Sequence, residues 1–362
     1  MNPPDPPDPT AVAILHQAAP QPVRDGIVKD PKPGGYQDSG ADIAFALRQA
    51  GVTVVTPEAS PDPAGDIGWT FPDTESGITE AVQAGANILW ANTVLFCSHP
   101  IERWLGCVRV VGQLPATVEK YDDKAVMNRE LLAAGLPVVP HILVTTSPDR
   151  PEALLLASLD ESALARLDFS FPLVVKPIRG RGSAGVTMVD DLHTLRATVE
   201  PTIASARFGP VLMIEPYLAG EEITVTVMPP DPSGSSPAYR CLPPVRRFNH
   251  HDGIAPYNGT VAVVHNSEVL SADEQAASGV RNLLDACRQV AEHIEARAPI
   301  RIDCRQDASG SFRIFDVNLK PNMTGPGRPG RDDQLSLTGM AAASIGMDYV
   351  DLVMAMLRGA WR

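Results

Sequence analysis

The sequence predicts two kinds of sheet, with an N-terminal α/β region followed by an α+β region of mainly antiparallel strands. In the first third, short apolar strands alternate with helical stretches, as in βαβ units with a parallel sheet. From residue 171 onward, apolar strands follow one another through short connections that contain glycine. The 362 residues, of which 44% are hydrophobic, suffice for two to three domains with cores and exclude global disorder.

The N-terminal elements are predicted from apolar runs and from the residues that end them. Residues 1–10 are rich in proline and are predicted to be a disordered tail, and residues 11–118 to be the α/β domain. Residues 42–51 read as a helix that Gly51 ends. Residues 22–38 contain several glycines and prolines and are predicted to be a long loop. The predicted strands are 11–15, 52–55, 87–90 and 108–111.

The rest of the chain is divided into segments 119–218 and 219–362. The first begins with a helix over 122–134. In the second, Ser271 and Glu274 form a capping box and open a helix with one apolar face. The predicted strands are 171–176, 186–189, 211–216, 223–227, 261–264, 300–304 and 311–318.

Charge and cysteine usage exclude several classes of function. The 30 basic and 43 acidic residues give a net charge of −13, which argues against a nucleic-acid or anionic-membrane partner. No apolar run reaches the roughly 18 residues of a membrane span, and the first residues do not form a secretory signal. The 5 cysteines, widely spaced and without a CxxC pair, indicate buried thiols in a reducing, cytoplasmic setting, and neither a disulfide framework nor a zinc site.

A glycine-rich loop after a buried strand is the first chemical signal. In FPLVVKPIRGRGSAGVTMV, a strand ends at Lys176, and Gly180, Gly182 and Gly185 precede the returning strand. Such glycines let backbone N–H groups approach phosphate oxygens, while lysine supplies a positive charge. The pattern predicts a phosphate-binding lid, and an ordinary glycine-rich hairpin is the alternative.

Paired carboxylates on later strands are the second signal. Glu215 ends one strand and Glu221 and Glu222 begin the next, where they could accept hydrogen bonds from ribose hydroxyls or simply be solvated turn acids. In IRIDCRQDASGSFRIFDVN, a hairpin centred between Ser309 and Gly310 places Asp303 opposite Asp316. Asn318 lies on the same face as Asp316, and Arg301 on that of Asp303. Such an oxygen set suits Mg²⁺, with a polar cross-strand pair as the alternative.

Taken in order, these motifs resemble the ATP-grasp superfamily, in particular its D-alanine–D-alanine ligase-like branch, over about residues 120–358. The motifs are DDKAVMNRELLAAGLP, the VVKP strand with its loop, IEPYLAGEE, the RID and DVN strands, PNMT and SLTGMAAASIGMDYVDLV. The resemblance implies an ATP-grasp fold with an N-terminal α/β (pre-ATP-grasp) domain, a lid subdomain and a C-terminal antiparallel-sheet subdomain.

The resemblance also implies roles for individual residues. Arg301 steadies the transferring phosphoryl group, and Lys320 is a basic residue at the reaction centre. The nucleotide-binding set is Lys124, Lys176, Gly182, Ser183, Glu215 and Glu222. The ligands for Mg²⁺, or alternatively Mn²⁺, are Asp303, Asp316 and Asn318, with Asp316 where glutamate is usual. The candidate substrate-binding set is Arg246, Arg247, His250, His251, Asn322, Arg328, Arg331 and Ser336.

The implied activity is ATP-dependent amide formation between a small carboxylate, such as an amino acid, and an amine, through an acyl phosphate. The early Glu and the later Ser–Tyr pair of the dipeptide ligases cannot be placed here, Asn322 replaces a glycine, and residues 325–333 look like an insertion. These departures argue against D-alanyl-D-alanine synthesis. The alternatives are an inactive ATP-binding scaffold and an ATP-grasp kinase or acyl-activating enzyme. Many relatives of this branch form homodimers.

Overall fold

The N-terminal part of the molecule is a parallel sheet with its crossover helices. The computed structural model describes residues 10–27, 32–180, 182–231, 237–250 and 263–362. The sheet has the order β2–β1–β4–β5, with β3 also paired to β1, and all pairs are parallel. The predicted α/β region is therefore confirmed. Its elements are β1 (Ala11–His16), α1 (Gln37–Gln49), β2 (Thr53–Val55), β3 (Phe71–Pro72), α2 (Glu75–Gln83), β4 (Ile88–Asn92) and β5 (Arg109–Val111).

A second sheet, with the order β7–β6–β10–β8–β9, forms the middle of the chain. Two helices precede it, and the second of them packs against a strand of the third sheet. The glycine-rich loop joins β8 to β9, which pair antiparallel as predicted. The elements are α3 (Pro115–Tyr121), α4 (Lys124–Ala133), β6 (Ile142–Thr145), β7 (Leu154–Leu155), α5 (Glu161–Arg166), β8 (Leu173–Pro177), β9 (Thr187–Val189), α6 (Leu192–Ala204) and β10 (Val211–Pro216).

The third sheet is antiparallel, has the order β14–β13–β11–β15–β16, and carries β12 beside β11. Its apolar face packs on α8 and shares one continuous core with the N-terminal sheet. The elements are β11 (Glu222–Met228), β12 (Arg240–Cys241), β13 (Val245–Arg247), β14 (Ser267–Val269), α7 (Ala272–Gln275), α8 (Ser278–His293), β15 (Ile300–Gln306), β16 (Phe312–Asn318), α9 (Leu337–Ala343) and α10 (Tyr349–Arg358).

The structure corrects three details of the predicted elements. The segment predicted as strand 261–264 contains a 3₁₀ turn over Val263–His265, and residues 261–262 lie outside the described ranges. The capping box of Ser271 is present, but it opens only the four-residue α7. The predicted apolar face belongs to a separate helix, α8. Helix α1 begins at residue 37, inside the segment predicted to be a loop.

The three sheets fall one into each of the predicted segments 11–118, 119–218 and 219–362, whose exact limits stay predictions. Residues 1–9 of the predicted disordered tail lie outside the described part of the chain. No helix in the described ranges is both long enough and apolar enough to span a membrane.

Candidate active site

The β15–β16 hairpin brings the predicted metal ligands together through a β-bulge. Near the turn, residue pairs such as Gln306–Phe312 centre the hairpin on Ser309, half a residue away from the predicted centre. The register then shifts between residues 303 and 304, and beyond the shift Asp303 pairs with Asp316. The predicted pair is therefore present because one extra residue in β16, Phe315, restores the register.

Each predicted metal ligand already has polar partners. The Asp303 carboxylate accepts hydrogen bonds from Arg301 at 2.9 Å and from the Thr224 hydroxyl at 2.8 Å. The Asn318 side-chain oxygen accepts a hydrogen bond from the backbone N–H of Lys320 at 3.0 Å. Among the described residues, no three His, Cys, Asp or Glu side chains form a metal-binding group.

The two lysines predicted to bind phosphate both reach β16. Lys124, the first residue of α4, forms an ion pair with Asp316. Burial lowers the pKa of the Lys124 amine, but the Asp316 carboxylate outweighs that effect, and the pKa lies above its ordinary value. Lys176 donates to the backbone carbonyl of Phe315 at 3.0 Å. The bulge residue therefore also supplies an anchor for the second lysine.

Glu215, on β10, forms a buried ion pair with Lys176 at 2.7 Å. Burial raises the pKa of the Glu215 carboxyl, and the attraction of Lys176 only partly offsets that rise. The second oxygen, Oε1, is buried and has no hydrogen-bond partner. A buried acceptor of this kind suits the amino group of a ligand such as adenine.

The glycine-rich loop has the backbone that its sequence predicts. Gly182 and Ser183 both have left-handed conformations, with φ of 59° and 60°. At Gly185, which has φ of 75°, a Cβ atom would approach the Phe208 ring within 2.9 Å. Glycine is therefore required at this position by both backbone and packing.

Glu222, the predicted ribose ligand, lies on the face of β11 that carries Thr224 and, two residues further, Thr226. Its carboxylate contacts the His250 ring at 2.8 Å and the Arg305 guanidinium at 3.8 Å. His250 thus lies at the nucleotide side of the site. His251, which also belongs to the candidate substrate-binding set, lies outside the described residues.

The two adjacent arginines of β13 point to opposite sides of the sheet. Arg247 pairs in register with Glu222 and is buried. Burial lowers the pKa of Arg247, although the nearby Asp303 and Glu222 carboxylates oppose this. Arg246 instead contacts three carboxylates on the other side, Glu221, Glu268 and Glu274. Arg246 therefore faces away from the side of the sheet that carries Arg247, because side chains of adjacent strand residues face opposite ways, and its contact with substrate stays a prediction.

Arg328 and Arg331 bind the N-terminal domain. Arg328 is buried and contacts Asp42 at 2.7 Å and the Gly65 carbonyl at 2.6 Å. Arg331 donates to both oxygens of Asp42 at 2.8 Å. Asp42, Asp66 and backbone carbonyls hold the buried guanidinium of Arg328, so this side chain is committed to the N-terminal domain, and its contact with substrate stays a prediction.

The remaining predicted substrate residues lie around the turn after β16. The Lys320 amine lies 3.3 Å from the ring centroid of Tyr36, at the start of α1. Asn322 donates to the Thr324 hydroxyl at 2.9 Å. Ser336 is the N-cap of α9, where its hydroxyl accepts from the Gly339 N–H at 3.1 Å, so its polar group already has a structural role.

Sequence reasoning missed several groups at this site. Thr224 alternates with Glu222 along β11, so its hydroxyl could have been placed on the same face from the period of two. The Phe315 carbonyl depends on a bulge that no residue type in the hairpin signals. Tyr36 and the Arg328–Asp42 pair join segments almost 300 residues apart, and only the tertiary structure reveals such contacts.

Comparison with known proteins shows the family to which the chain belongs. The family described as D-ala D-ala ligase C-terminus matches residues 131–358. The D-alanine–D-alanine ligase of Ectopseudomonas mendocina is 30% identical over 238 residues, which are 65% of this chain and 64% of that protein, slightly under two thirds of its length. That of Haemophilus influenzae is 28% identical over 254 residues, which are 70% and 73% of the two chains.

Solved structures show the same fold over almost the whole chain. The D-alanine–D-alanine ligase of Bacillus anthracis, complexed with ATP, superposes with a TM-score of 0.66 at 17% identity and covers 97% of both chains. The Coxiella burnetii ligase gives 0.64 at 12% identity, covering 97% of this chain and 95% of that one. The resemblance predicted from the motifs is thereby confirmed, and the chain belongs to the D-alanine–D-alanine ligase family, with the ATP-grasp fold.

Proposed function

We propose that this protein is an ATP-dependent carboxylate–amine ligase that releases ADP and phosphate. The observation that carries the proposal is the convergence on β16 of two lysines and two carboxylates from two sheets and a helix. Lys124 reaches Asp316, and Lys176 reaches the adjacent Phe315 carbonyl, while Asp303 lies across the hairpin. Cations and carboxylates alternate at one place, as the binding of a metal–polyphosphate complex requires.

The donor set fits a hard divalent cation. Asp303, Asp316 and Asn318 supply oxygen ligands from two neighbouring strands, and Arg301 and Lys124 neutralise the two carboxylates in this structure. These three residues would hold Mg²⁺, or alternatively Mn²⁺. When bound, the cation supplies charge screening for the terminal phosphates of ATP.

The chain's own residues account for the two chemical steps. A substrate carboxylate oxygen attacks the γ-phosphorus, the bond to the ADP oxygen breaks, and an acyl phosphate forms. We assign Arg301 to the negative charge on the transferring group. The amine then attacks the acyl carbon and loses a proton, and phosphate leaves. The loop between β8 and β9 covers the site and limits hydrolysis of the acyl phosphate by water.

The nucleotide contacts follow from the same geometry. We assign the phosphates to Lys124, Lys176 and the loop amides at Gly182 and Ser183. The orphaned Glu215 oxygen is available to the adenine amino group, and Glu222 to the ribose. The His250 ring contacts the Glu222 carboxylate in this structure, and this contact must break, or the carboxylate must serve both groups, when the ribose binds.

The substrates are a small carboxylate, such as an amino acid, and an amine. Lys320 and Arg247 are the basic groups that we assign to substrate carboxylates, with Asn322 beside them. The relatives carry the name D-alanine–D-alanine ligase. The glutamate and the Ser–Tyr pair of the dipeptide ligases cannot be placed in this sequence, and residues 325–333 look like an insertion. We therefore expect a different pair of substrates. We also propose that the protein is a homodimer and that it is cytoplasmic. A reducing compartment such as the cytoplasm suits the five free cysteines.

The test is ADP and phosphate release measured against a panel of amino acids and small acids, with D-alanine included. We expect one carboxylate–amine pair to stimulate release and to yield amide. Asp316→Asn and Lys124→Met should abolish turnover. Lys120→Met is the matched control, since Lys120 is a neighbouring lysine that pairs with Glu130. Tight ATP binding with no stimulation by any pair would favour the inactive scaffold, and normal turnover by Asp316→Asn would refute the assignment of the site.

A further inference from the structure

The root of the glycine-rich loop carries a half-buried arginine that the proposed chemistry does not use. Arg179 follows β8 by two residues, and its side chain is only 13% exposed. Its guanidinium donates to Asp122 and to Asp123, each at 3.3 Å, and its Nε lies 3.6 Å from Asp25. One cation thus meets carboxylates from two different parts of the chain, both of them distant from it in sequence.

Asp123 links this arginine to the phosphate-binding lysine. One oxygen of Asp123 caps α4 by accepting from the N–H groups of residues 125 and 126 at 2.9 and 3.0 Å, and the other accepts from Arg179. The backbone N–H of Lys124 donates to the Ile178 carbonyl at 2.9 Å. The loop root and the first turn of α4 are therefore fixed to each other by side-chain and backbone contacts.

Asp25 is presented to Arg179 by a tight turn. The N–H and carbonyl groups of Arg24 and Ile27 pair with each other at 2.8 and 3.1 Å. Asp25 and Gly26 between them have φ of 52° and 78°. Positive φ at both central residues is typical of the type I′ hairpin turn, for which Asp-Gly is a preferred sequence. The position of the Asp25 carboxylate is therefore set by the backbone.

The turn also packs against the lid sheet. Ile27 is buried, and a Cβ atom at Gly209, just before β10, would lie 2.8 Å from its side chain. On the other side, Arg24 forms an ion pair with Glu119 of α3 at 2.8 Å. A cavity of about 30 Å³ lies between the turn, α3 and the root of the glycine-rich loop. The turn is therefore held by an apolar contact on one side and by an ion pair on the other.

We propose that Arg179 is a positioning residue that locks the root of the glycine-rich loop to α4 and to the Asp25–Gly26 turn, so that the loop closes over the nucleotide in one fixed position. The proposal rests on the function given above for the nucleotide contacts, but the lock itself exists in the ligand-free structure. Asp25 lies in the loop that leaves β1 and returns to α1, where Tyr36 contacts Lys320. That loop consequently touches both the lid and the turn that follows the metal-ligand strand.

The test compares Arg179→Met, Arg179→Lys and Asp25→Asn with Arg166→Met, which changes an exposed arginine of α5 whose guanidinium donates to Ser162. Amide hydrogen exchange is followed by mass spectrometry over residues 182–189, without ligand and with Mg²⁺ and the non-hydrolysable analogue AMP-PNP. Loss of the charge-assisted hydrogen bonds should speed exchange of these amides by about tenfold or more in Arg179→Met without ligand. Arg179→Lys should restore part of the protection, and Asp25→Asn should have a smaller effect than Arg179→Met.

The nucleotide arm separates the lock from the proposed function. Arg179→Met should weaken AMP-PNP binding about tenfold through the displaced Lys124, while Arg166→Met leaves it unchanged. Exchange in β4 serves as the check that the fold is retained, and Asp25→Asn carries the test if Arg179→Met does not fold. Wild-type exchange rates in ligand-free Arg179→Met and Asp25→Asn would overturn the lock. A wild-type protein that fails to bind AMP-PNP, yet shows the exchange difference, would overturn the proposed function alone.

Discussion

The buried pair between Arg328 and Asp42 gives the sharpest stability prediction. Both side chains are 0% exposed, and the pair joins the segment after β16 to helix α1. Arg328→Met retains the aliphatic stem and removes the guanidinium that also serves the Gly65 carbonyl at 2.6 Å. Removing one partner of a buried ion pair costs about 3–5 kcal/mol when the other charge is left uncompensated.

The presence of Arg331 places the expected loss of unfolding free energy at the lower end of the range of about 3–5 kcal/mol. It contacts both oxygens of Asp42 and remains in place in the variant, so the carboxylate keeps one cation. We therefore expect Arg328→Met to lower the free energy of unfolding by about 3 kcal/mol. Arg331→Met should cost less, about 1 kcal/mol, because its side chain is 18% exposed and Asp42 keeps Arg328.

The assay is urea-induced unfolding followed by tryptophan fluorescence, with both variants measured beside the wild type. Trp69 is buried in the N-terminal core and reports on the domain that contains Asp42. A loss below about 1 kcal/mol for Arg328→Met, or a larger loss for Arg331→Met, would refute the reasoning from burial and shared partners.

Three further predictions follow from the site and the N-terminal domain. The pKa of the Asp73 carboxyl is lowered, because its hydrogen bonds outweigh the rise that burial causes. The stability that this carboxylate contributes is therefore present above the ordinary pKa of 3.8 and is lost as pH falls through the folded-state pKa. Asp73→Asn should therefore lower the urea midpoint at pH 7, and the difference from wild type should shrink in acid; an equal difference at both pH values would contradict this. Gly185→Ala should lower the melting temperature and weaken AMP-PNP binding, whereas Gly310→Ala, also at positive φ but with no atom near its Cβ, should cost only about 1 kcal/mol of strain and leave binding unchanged; equal losses would exclude the packing argument. His250→Ala should strengthen AMP-PNP binding several-fold by freeing Glu222, as measured by calorimetry, and weaker binding would show that the ring belongs to the nucleotide site.

The parts of the fold that sequence reasoning predicted correctly are those with local signals. Apolar runs predict strands in all three sheets, and hairpin geometry predicts that Asp303 and Asp316 lie opposite each other. The actual hairpin has a different centre, and a bulge at Phe315 makes up the difference. The correct pair was thus predicted from an incomplete register, because period-two alternation does not reveal an inserted residue.

The parts that could not be predicted depend on contacts between distant segments. Arg246 and Arg247 differ only in parity along β13, and the sequence does not state which face of that short strand points to the site. Arg328 lies in a glycine- and proline-rich segment that reads as an exposed loop, yet its partner is Asp42. A buried charge is recognised only when its counter-charge is known, and here that residue is 286 positions away.

The ion pair between Lys124 and Asp316 would couple the binding of a divalent cation to the binding of a polyphosphate. In this structure each group neutralises the other, so neither a free cation nor a free polyphosphate finds an uncommitted partner there. A divalent ion that takes Asp316 releases the Lys124 amine for phosphate, and phosphate that takes Lys124 releases the carboxylate. Each ligand therefore increases the affinity for the other by the same factor, which makes the two associate cooperatively.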